Sequence, residues 1–524
     1  MAKNNRAETA FAQKPAMAGI SKNPAALLIR NAVIAFTGLL GLVLLTRLVF
    51  VRSYNYDELS HAHMAWLVSV GEVPYRDFAA NHFPFFWILL SPLMRVLPES
   101  LVTLMVLRGL ALVCNAVFIG ALGTLICLEL RPQQRIWAAA CLGLVVFSPP
   151  AVHFLIEFRP DPFANALLFS AVAWLRLSGL RNRPTAFMSG IGIGIAVLLN
   201  TKYLLFPFVL GTVALIMYAR QARQIWPFAV AICLGFSASL LGGMLLLDSM
   251  HVRLGDAWRM VVTYNAMAQK THTFGFGLAG MLARYPEWLA YSFVGLIGCT
   301  VLFQRQRRLP ELLTAAIFIF LVMNLVTTTK PWKQYVVSWL LLAAYFPARS
   351  LPLLITRLRL QAQTAAAFCV SIIAVVGFVR TGIVDPDGGG MDRQTQDRTI
   401  EWVLRRVPPD GFVVSSYYLH PVFRRDTFFK TVYDIAGSGG DGLERFMPQL
   451  APGPYSEHFQ LSGYQKELEI RPPSVIVPQG YTYLQVQALN AYLGRHGNNY
   501  DQQEIPGTPV VILERRTESL PDAK

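Results

Sequence analysis

The stretch "FPFFWILLSPLMRVLP", residues 83–98, is apolar but only about 16 residues long, and it holds Pro92 and Arg95. A helix needs about 20 mostly apolar residues to cross a hydrocarbon core, so this one is short for a span. Whether it crosses decides the topology of everything after it. If it does, every later loop changes sides. If it lies as an interfacial or re-entrant helix, the later parity is untouched.

The basic residues choose between these, because Lys and Arg gather in cytoplasmic loops. Other apolar runs lie at about 31–51, 101–129, 136–156, 162–180, 186–200, 203–219, 226–247, 286–304, 312–327, 335–350 and 364–381. Alternate ends are Arg-rich, at 131–135, 176–183, 220–223, 305–308 and 357–359. These share one side with the basic N-terminal tail only if 83–98 is not counted. The expectation is an α-helical polytopic membrane protein of about eleven transmembrane helices, N-terminus inside and C-terminus outside. The outer face then carries 52–100, 157–161, 200–202, 248–285, 328–334 and everything after 382.

Composition agrees. The chain has 524 residues, 54% hydrophobic and 15% charged, where soluble domains carry about 25% charged residues. The net charge of +15 reads as orienting loop charge. With no Gly-rich phosphate loop and no basic-aromatic repeat, nucleic acid is not an expected partner. The six cysteines (Cys114, Cys127, Cys141, Cys233, Cys299, Cys369) all lie in apolar runs, with neither metal-ligand spacing nor a disulfide framework. Residues 1–30 are polar and basic, lack a short apolar core with a cleavage site, and read as a disordered cytosolic tail. Residues 31–381 form the membrane module, with 52–100 as its first outer loop. After the linker "DPDGGGMD", helix signals at "RTIEWVLRRV" and "YLQVQALNAYLGRH" alternate with strand signals at "GFVVSSYYL", "SVIVPQ" and "PVVILERR". That pattern predicts a small soluble α/β domain over 382–524, outside the cytoplasm.

The outer loops hold the charges that chemistry could use. In "YNYDELSHAH", Asn55 can cap a helix whose first turn carries Asp57 and Glu58. Capping and the helix dipole explain the acids. A carboxylate pair at the outer membrane surface can equally serve as a general base. Asp77 and His82 flank a polar turn in "YRDFAANHFPFF". Asp77 can pair with Arg76 or Arg95, and His82 can meet backbone or a ligand phosphate. Two ligands do not make a metal site, so a divalent metal stays open and no cofactor is assigned. "EFRPDPFANALLF" puts Glu157, Arg159 and Asp161 at the outer ends of two spans. The prolines stop one helix and start the next, and Asp161 can cap. Arg159, Lys202 in "LLNTKYLLFP", and Lys330 and Lys333 in "TTTKPWKQY" break the orientation bias and need an anionic partner. A lipid headgroup is one, a bound lipid phosphate another. In 248–285, Leu254, Trp258, Val261, Val262 and Ala266 space like an amphipathic helix lying on the membrane.

Together these motifs resemble one family. Asp57-Glu58, then "GEVPYRDFAANHFP", then "RPDPFANALL", then a lysine opening the next span, is similar to polytopic GT-C glycosyltransferases of the family 39 kind. That group holds protein O-mannosyltransferases, aminoarabinose transferases and bacterial relatives. The resemblance spans about 30–350. It implies a GT-C fold with paired interfacial helices at 56–70 and 83–97. It implies a polyprenyl-phosphate-sugar donor, used with inversion on the outer face of a bacterial inner membrane, and a lipid, glycan or protein acceptor. It makes Asp57 the catalytic base, with Glu58 beside it as a further catalytic candidate, and Lys202, with help from Arg159 or Lys333, the donor-phosphate site. Asp161, Asp77 and His82 remain as acceptor-side or second acidic candidates. Asn81-His82-Phe83-Pro84 stands where the aminoarabinose transferases have Glu-Lys-Pro-Pro, so their metal-site glutamate is not reproduced. A transporter of lipid-linked sugars would instead place ionisable groups near span midpoints and show inverted repeats. A non-catalytic subunit of envelope glycan assembly is the other alternative.

Overall fold

The computed structural model describes residues 24–78, 80, 82–178, 182–218, 222–264, 309–327, 333–354, 391–415, 418–426, 461–478 and 483–516, with isolated positions between 372 and 379. Helix α1 (Pro24–Val51) leads into the loop at 52–100, which folds as α2 (Tyr56–Ser69) and α3 (Phe85–Val96). At about 1.5 Å per residue, the 12 residues of α3 reach only about 18 Å, against roughly 30 Å of hydrocarbon. It packs instead on α2, burying Phe86, Trp87, Ile88, Leu90 and Met94.

The membrane module continues through α4 (Leu101–Glu129), α5 (Ile136–Val146), α6 (Pro149–Leu155), α7 (Pro160–Ser178), α8 (Arg183–Leu199), α9 (Leu205–Tyr218), α10 (Ala222–Ser249), α11 (Leu309–Thr327), α12 (Lys333–Ala343) and α13 (Tyr345–Leu354). Among the described residues, three helices are long and apolar enough to cross a membrane: Asn31–Val51, Leu101–Glu129 and Ile225–Ser249. Others are broken. The run at 136–156 divides where Pro149 and Pro150 end one helix and open the next. The runs at 286–304 and 364–381 fall outside the described residues, apart from the isolated positions. In the stretch 248–285, residues up to 264 are described, with a short helix, Leu254–Trp258, followed by a π-helical turn.

Helices α8 and α10 approach so closely that side chains are excluded between them. A Cβ at Gly190 would collide with the Ile232 carbonyl oxygen, and one at Gly235 with that of Phe187. Small residues permit this backbone contact where lipid provides no hydrophobic drive between helices. Phe36, Leu39 and Leu42 of α1 and Leu241 and Leu245 of α10 are more than half exposed.

After residue 390 come α14 (Arg393–Arg406), β1 (Phe412–Val414), β2 (Arg425–Asp426), α15 (Leu461–Ile470), β3 (Val475–Ile476), α16 (Tyr483–His496), β4 (Tyr500–Glu504) and β5 (Val511–Arg515). The sheet order is β2-β1-β3-β5-β4. Its first three strands run parallel, with Val413 opposite both Asp426 and Val475, and β5 is antiparallel to β3 and β4. Ile400, Val422 and Phe423 of this unit belong to the same apolar core as the outer-loop helices. Gln396, fully buried, accepts from the Tyr54 N–H at 2.6 Å and donates to the Tyr54 carbonyl at 3.0 Å.

Candidate active site

The site is built on the N-terminus of α2. Asn55 accepts from the Asp57 N–H at 3.1 Å, and the Glu58 carboxylate accepts from the Asn55 N–H at 2.8 Å, a reciprocal capping box. Glu58 is 2% exposed and fully engaged. Arg108, 1% exposed in the outer third of α4, grips both its oxygens at 2.8 and 2.7 Å, and the Phe158 N–H adds a third donor at 3.1 Å. Arg108 also donates to the carbonyls of Arg52 and Ser53 at 2.7 and 2.6 Å. Burial opposes charge on Glu58, but the charge and hydrogen bonds of Arg108, aided by Arg52, hold its carboxyl below the usual range. This pair anchors the loop.

Asp57 points elsewhere. Its side chain is 32% exposed and accepts from Arg159, which comes from the junction of α6 and α7. Arg159 also lies 3.8 Å from Glu157 and 3.8 Å from Asp161. Lys202 donates to Asp161. Glu157, fully buried, accepts from Arg52 at 3.1 Å and from the Asn55 side chain at 3.0 Å. Among the described residues, its second oxygen has no hydrogen-bond partner. Burial pushes the Glu157 carboxyl up to about 7, against the pull of Arg52 and Arg159. The network thus sets four acids (Asp57, Glu58, Glu157, Asp161) against four cations (Arg52, Arg108, Arg159, Lys202).

His82 closes the cluster. Its ring lies 5.1 Å from that of His61, which accepts from Trp87 at 3.0 Å. Burial pushes the His82 imidazole down to about 4. Asp57 and Asp161 pull the other way, while Arg159 and Lys202 reinforce burial. It is neutral at pH 7 and feels the charges of all four.

Five of the residues expected from the sequence therefore converge: Asp57, His82, Arg159, Asp161 and Lys202. Glu58 lies just beneath them, locked to Arg108. Asp77 instead closes the polar turn, accepting from the Val73 N–H at 2.8 Å and pairing with Arg76 at 2.7 Å. Lys333 opens α12, but its side chain lies outside the described residues, as does Lys330. Arg108, Arg52 and the buried state of Glu157 were not anticipated. An arginine two turns into an otherwise apolar span always needs a partner, and that was the available signal. Among the described residues no group of three or more His, Cys, Asp or Glu is arranged to hold a metal ion. The carboxylates of Asp57 and Asp161 are already paired with Arg159 and Lys202.

No family model matches the chain, and no curated protein matches it. Solved structures do. ArnT from Cupriavidus metallidurans in the apo state aligns over 92% of this chain and 98% of its own, with a TM-score of 0.57 at 11% identity. The same protein bound to undecaprenyl phosphate gives 0.55 at 11% identity, over 93% and 98%. The Archaeoglobus fulgidus oligosaccharyltransferase in complex with Zn and sulfate gives 0.53 at 14% identity, over 85% of this chain and 67% of that one. The fold is that of the GT-C glycosyltransferases. The ion-pair cluster lies where the helix pair α2 and α3 meets the start of α7 and the end of α8.

Proposed function

We propose that this protein is a membrane glycosyltransferase that moves a sugar from a polyprenyl-phosphate donor to an acceptor hydroxyl on the outer face, with inversion. The single observation that carries this is the shared guanidinium of Arg159. It binds Asp57 and stands beside Asp161, while Lys202 holds Asp161. A would-be base and two phosphate-seeking cations are thus parked on one another. The GT-C fold, and undecaprenyl phosphate bound by ArnT, support a lipid phosphate as the anion that separates them.

The chemistry follows. The donor phosphate competes for Lys202 and Arg159, and the Asp57 carboxylate is released. The acceptor oxygen attacks the anomeric carbon as the bond from that carbon to the phosphate oxygen breaks. The hydroxyl proton goes to Asp57, and the electron pair leaves with polyprenyl phosphate, stabilised by the two cations. His82, neutral, can donate or accept one hydrogen bond without adding charge. Glu58 positions the helix that carries Asp57. The test is transfer from a polyprenyl-phosphate hexose by the purified full-length protein. Asp57→Asn should bind the donor and fail to transfer it; full transfer by that variant would discard Asp57 as the base.

A further inference from the structure

The end of α1, the start of α4 and one face of α14 line a cleft of about 590 Å³, within the roughly 300–1,000 Å³ of small-ligand sites. None of the ion-pair cluster around Asp57 lines it. Its two walls differ in chemistry. One is apolar and includes Val51, Leu101 and Val102. Val51 ends one helix long and apolar enough to cross a membrane, and Leu101 opens another. This wall therefore lies where those two helices leave the apolar layer. The other wall is charged. Arg393, Asp397 and Glu401 follow one another at four-residue spacing along α14, with Arg398 beside them.

Arg393 ties the charged wall to the segment that opens α2. It donates to Asp397 at 2.7 Å, to the Arg52 carbonyl at 3.0 Å and to the Tyr54 hydroxyl at 2.5 Å. Its guanidinium lies 3.9 Å from the centre of the Tyr54 ring. That of Arg108, which grips Glu58, lies 4.4 Å from the same centre. The Arg52 carbonyl accepts from both arginines. A group that settles on Asp397 is thus linked, through one guanidinium, to residues 52–58 and the helix that carries Asp57.

A ligand that fills this cleft must be amphipathic, with both signs of charge on its polar end. Methylenes remove the apolar wall from water. A phosphate answers Arg398, which spends one nitrogen on the Gly507 carbonyl at 2.7 Å and has further N–H donors. A primary ammonium, with its three donors, answers Asp397 and Glu401. A choline group has no N–H to give, and a purely anionic headgroup leaves both carboxylates opposed. We propose that the cleft binds a phospholipid with a primary ammonium beside its phosphate, as in phosphatidylethanolamine, and that the bound lipid steadies residues 52–58. This goes beyond the transferase reading and stands apart from it, since neither donor nor acceptor takes part.

The test uses the full-length protein, delipidated in detergent, with dioleoyl phosphatidylethanolamine, phosphatidylcholine or phosphatidylglycerol added singly. Native mass spectrometry measures the lipid retained, and hydrogen exchange reads the backbone. Phosphatidylethanolamine should be retained in preference to the other two and should slow exchange of the amides at 52–58. Glu401→Lys should lower its affinity about tenfold, the worth of one charge-assisted hydrogen bond, and turn the preference to phosphatidylglycerol. Val102→Trp, which fills the apolar wall, should remove one retained lipid and the slowing with it. The Glu401 side chain is 50% exposed and Val102 56%, so neither substitution disturbs a packed core. Equal retention of the three lipids by the wild-type protein, unchanged retention of phosphatidylethanolamine in both variants, or exchange at 52–58 that ignores the lipid would each overturn the proposal. So would displacement of the lipid by an equal concentration of phosphoethanolamine, which has no acyl chain for the apolar wall.

Discussion

Arg159 donates to the carboxylate of Asp57 across 102 positions of chain, tying the start of α7 to the start of α2. The same guanidinium stands 3.8 Å from Asp161. Removing it should do two things at once. Arg159→Ala should lower kcat/KM for transfer by about 10²–10³, the usual loss for one charge-stabilising donor, and should weaken binding of polyprenyl phosphate measured directly. Asp57→Asn should lower kcat by about 10²–10⁴, as loss of a general base does, with donor binding retained. Equal effects of both substitutions on donor binding would contradict the division of labour.

Glu58 and Arg108 should behave as a buried pair. Removal of either partner strands a charge and costs about 3–5 kcal/mol, whereas joint replacement by apolar residues can be nearly neutral. Glu58→Ala and Arg108→Met should each lower the thermal unfolding midpoint in detergent strongly. The double variant Glu58→Leu with Arg108→Met should regain most of that loss. It should not regain activity, since the capping box and the anchored carbonyls of Arg52 and Ser53 go with it.

Glu157 gives a pH signature. Its carboxyl is raised to about 7 by burial. Above that pH its charge gives Arg159 a third anionic partner and draws it from Asp57, so transfer should rise through pH 7. Glu157→Gln should flatten this step in a profile of log kcat against pH. Stability moves in the opposite sense. A folded value above the ordinary 4.5 means protons are taken up on folding, so the Glu157 contribution is present below 4.5 and is lost as pH rises towards 7. An unchanged inflection in Glu157→Gln would assign the titration elsewhere.

The contact of α8 with α10 predicts a contrast between two glycines of one helix. At Gly235 a side chain meets the Phe187 carbonyl, whereas at Gly242 nothing lies within 4 Å. Gly235→Val should destabilise by about 1–3 kcal/mol through overpacking. Gly242→Ala should be neutral or stabilise slightly through helix propensity. Thermal unfolding of the two variants side by side reads the difference.

The shortness of the helix within the apolar run at 83–98 was legible in the sequence. The helices expected at 56–70 and 83–97 appear as Tyr56–Ser69 and Phe85–Val96. Parity also placed Asp57, Arg159, Asp161 and Lys202 on one side, and the structure brings their side chains together. What one sequence could not show was pairing over distance. Arg108 sits in a run whose hydrophobicity hides it, and its partner Glu58 is 50 positions away. Glu58 looked like Asp57 because both serve a helix start; only burial separates them. In the C-terminal unit the helix Tyr483–His496 was plain from its period, but β2, two residues long, and β4, "YDQQE", carry no apolar alternation to betray a strand.

The hold of Gln396 on Tyr54 has a consequence for biosynthesis. The two residues are 342 positions apart. At about 5–20 residues per second, the ribosome needs on the order of tens of seconds to make the second after the first. During that interval the membrane helices can insert and the capping box of α2 can form, but the segment that aims Asp57 lacks its clamp. A chain interrupted before α14 would carry every charged group of the site without the residue that clamps the backbone of Tyr54.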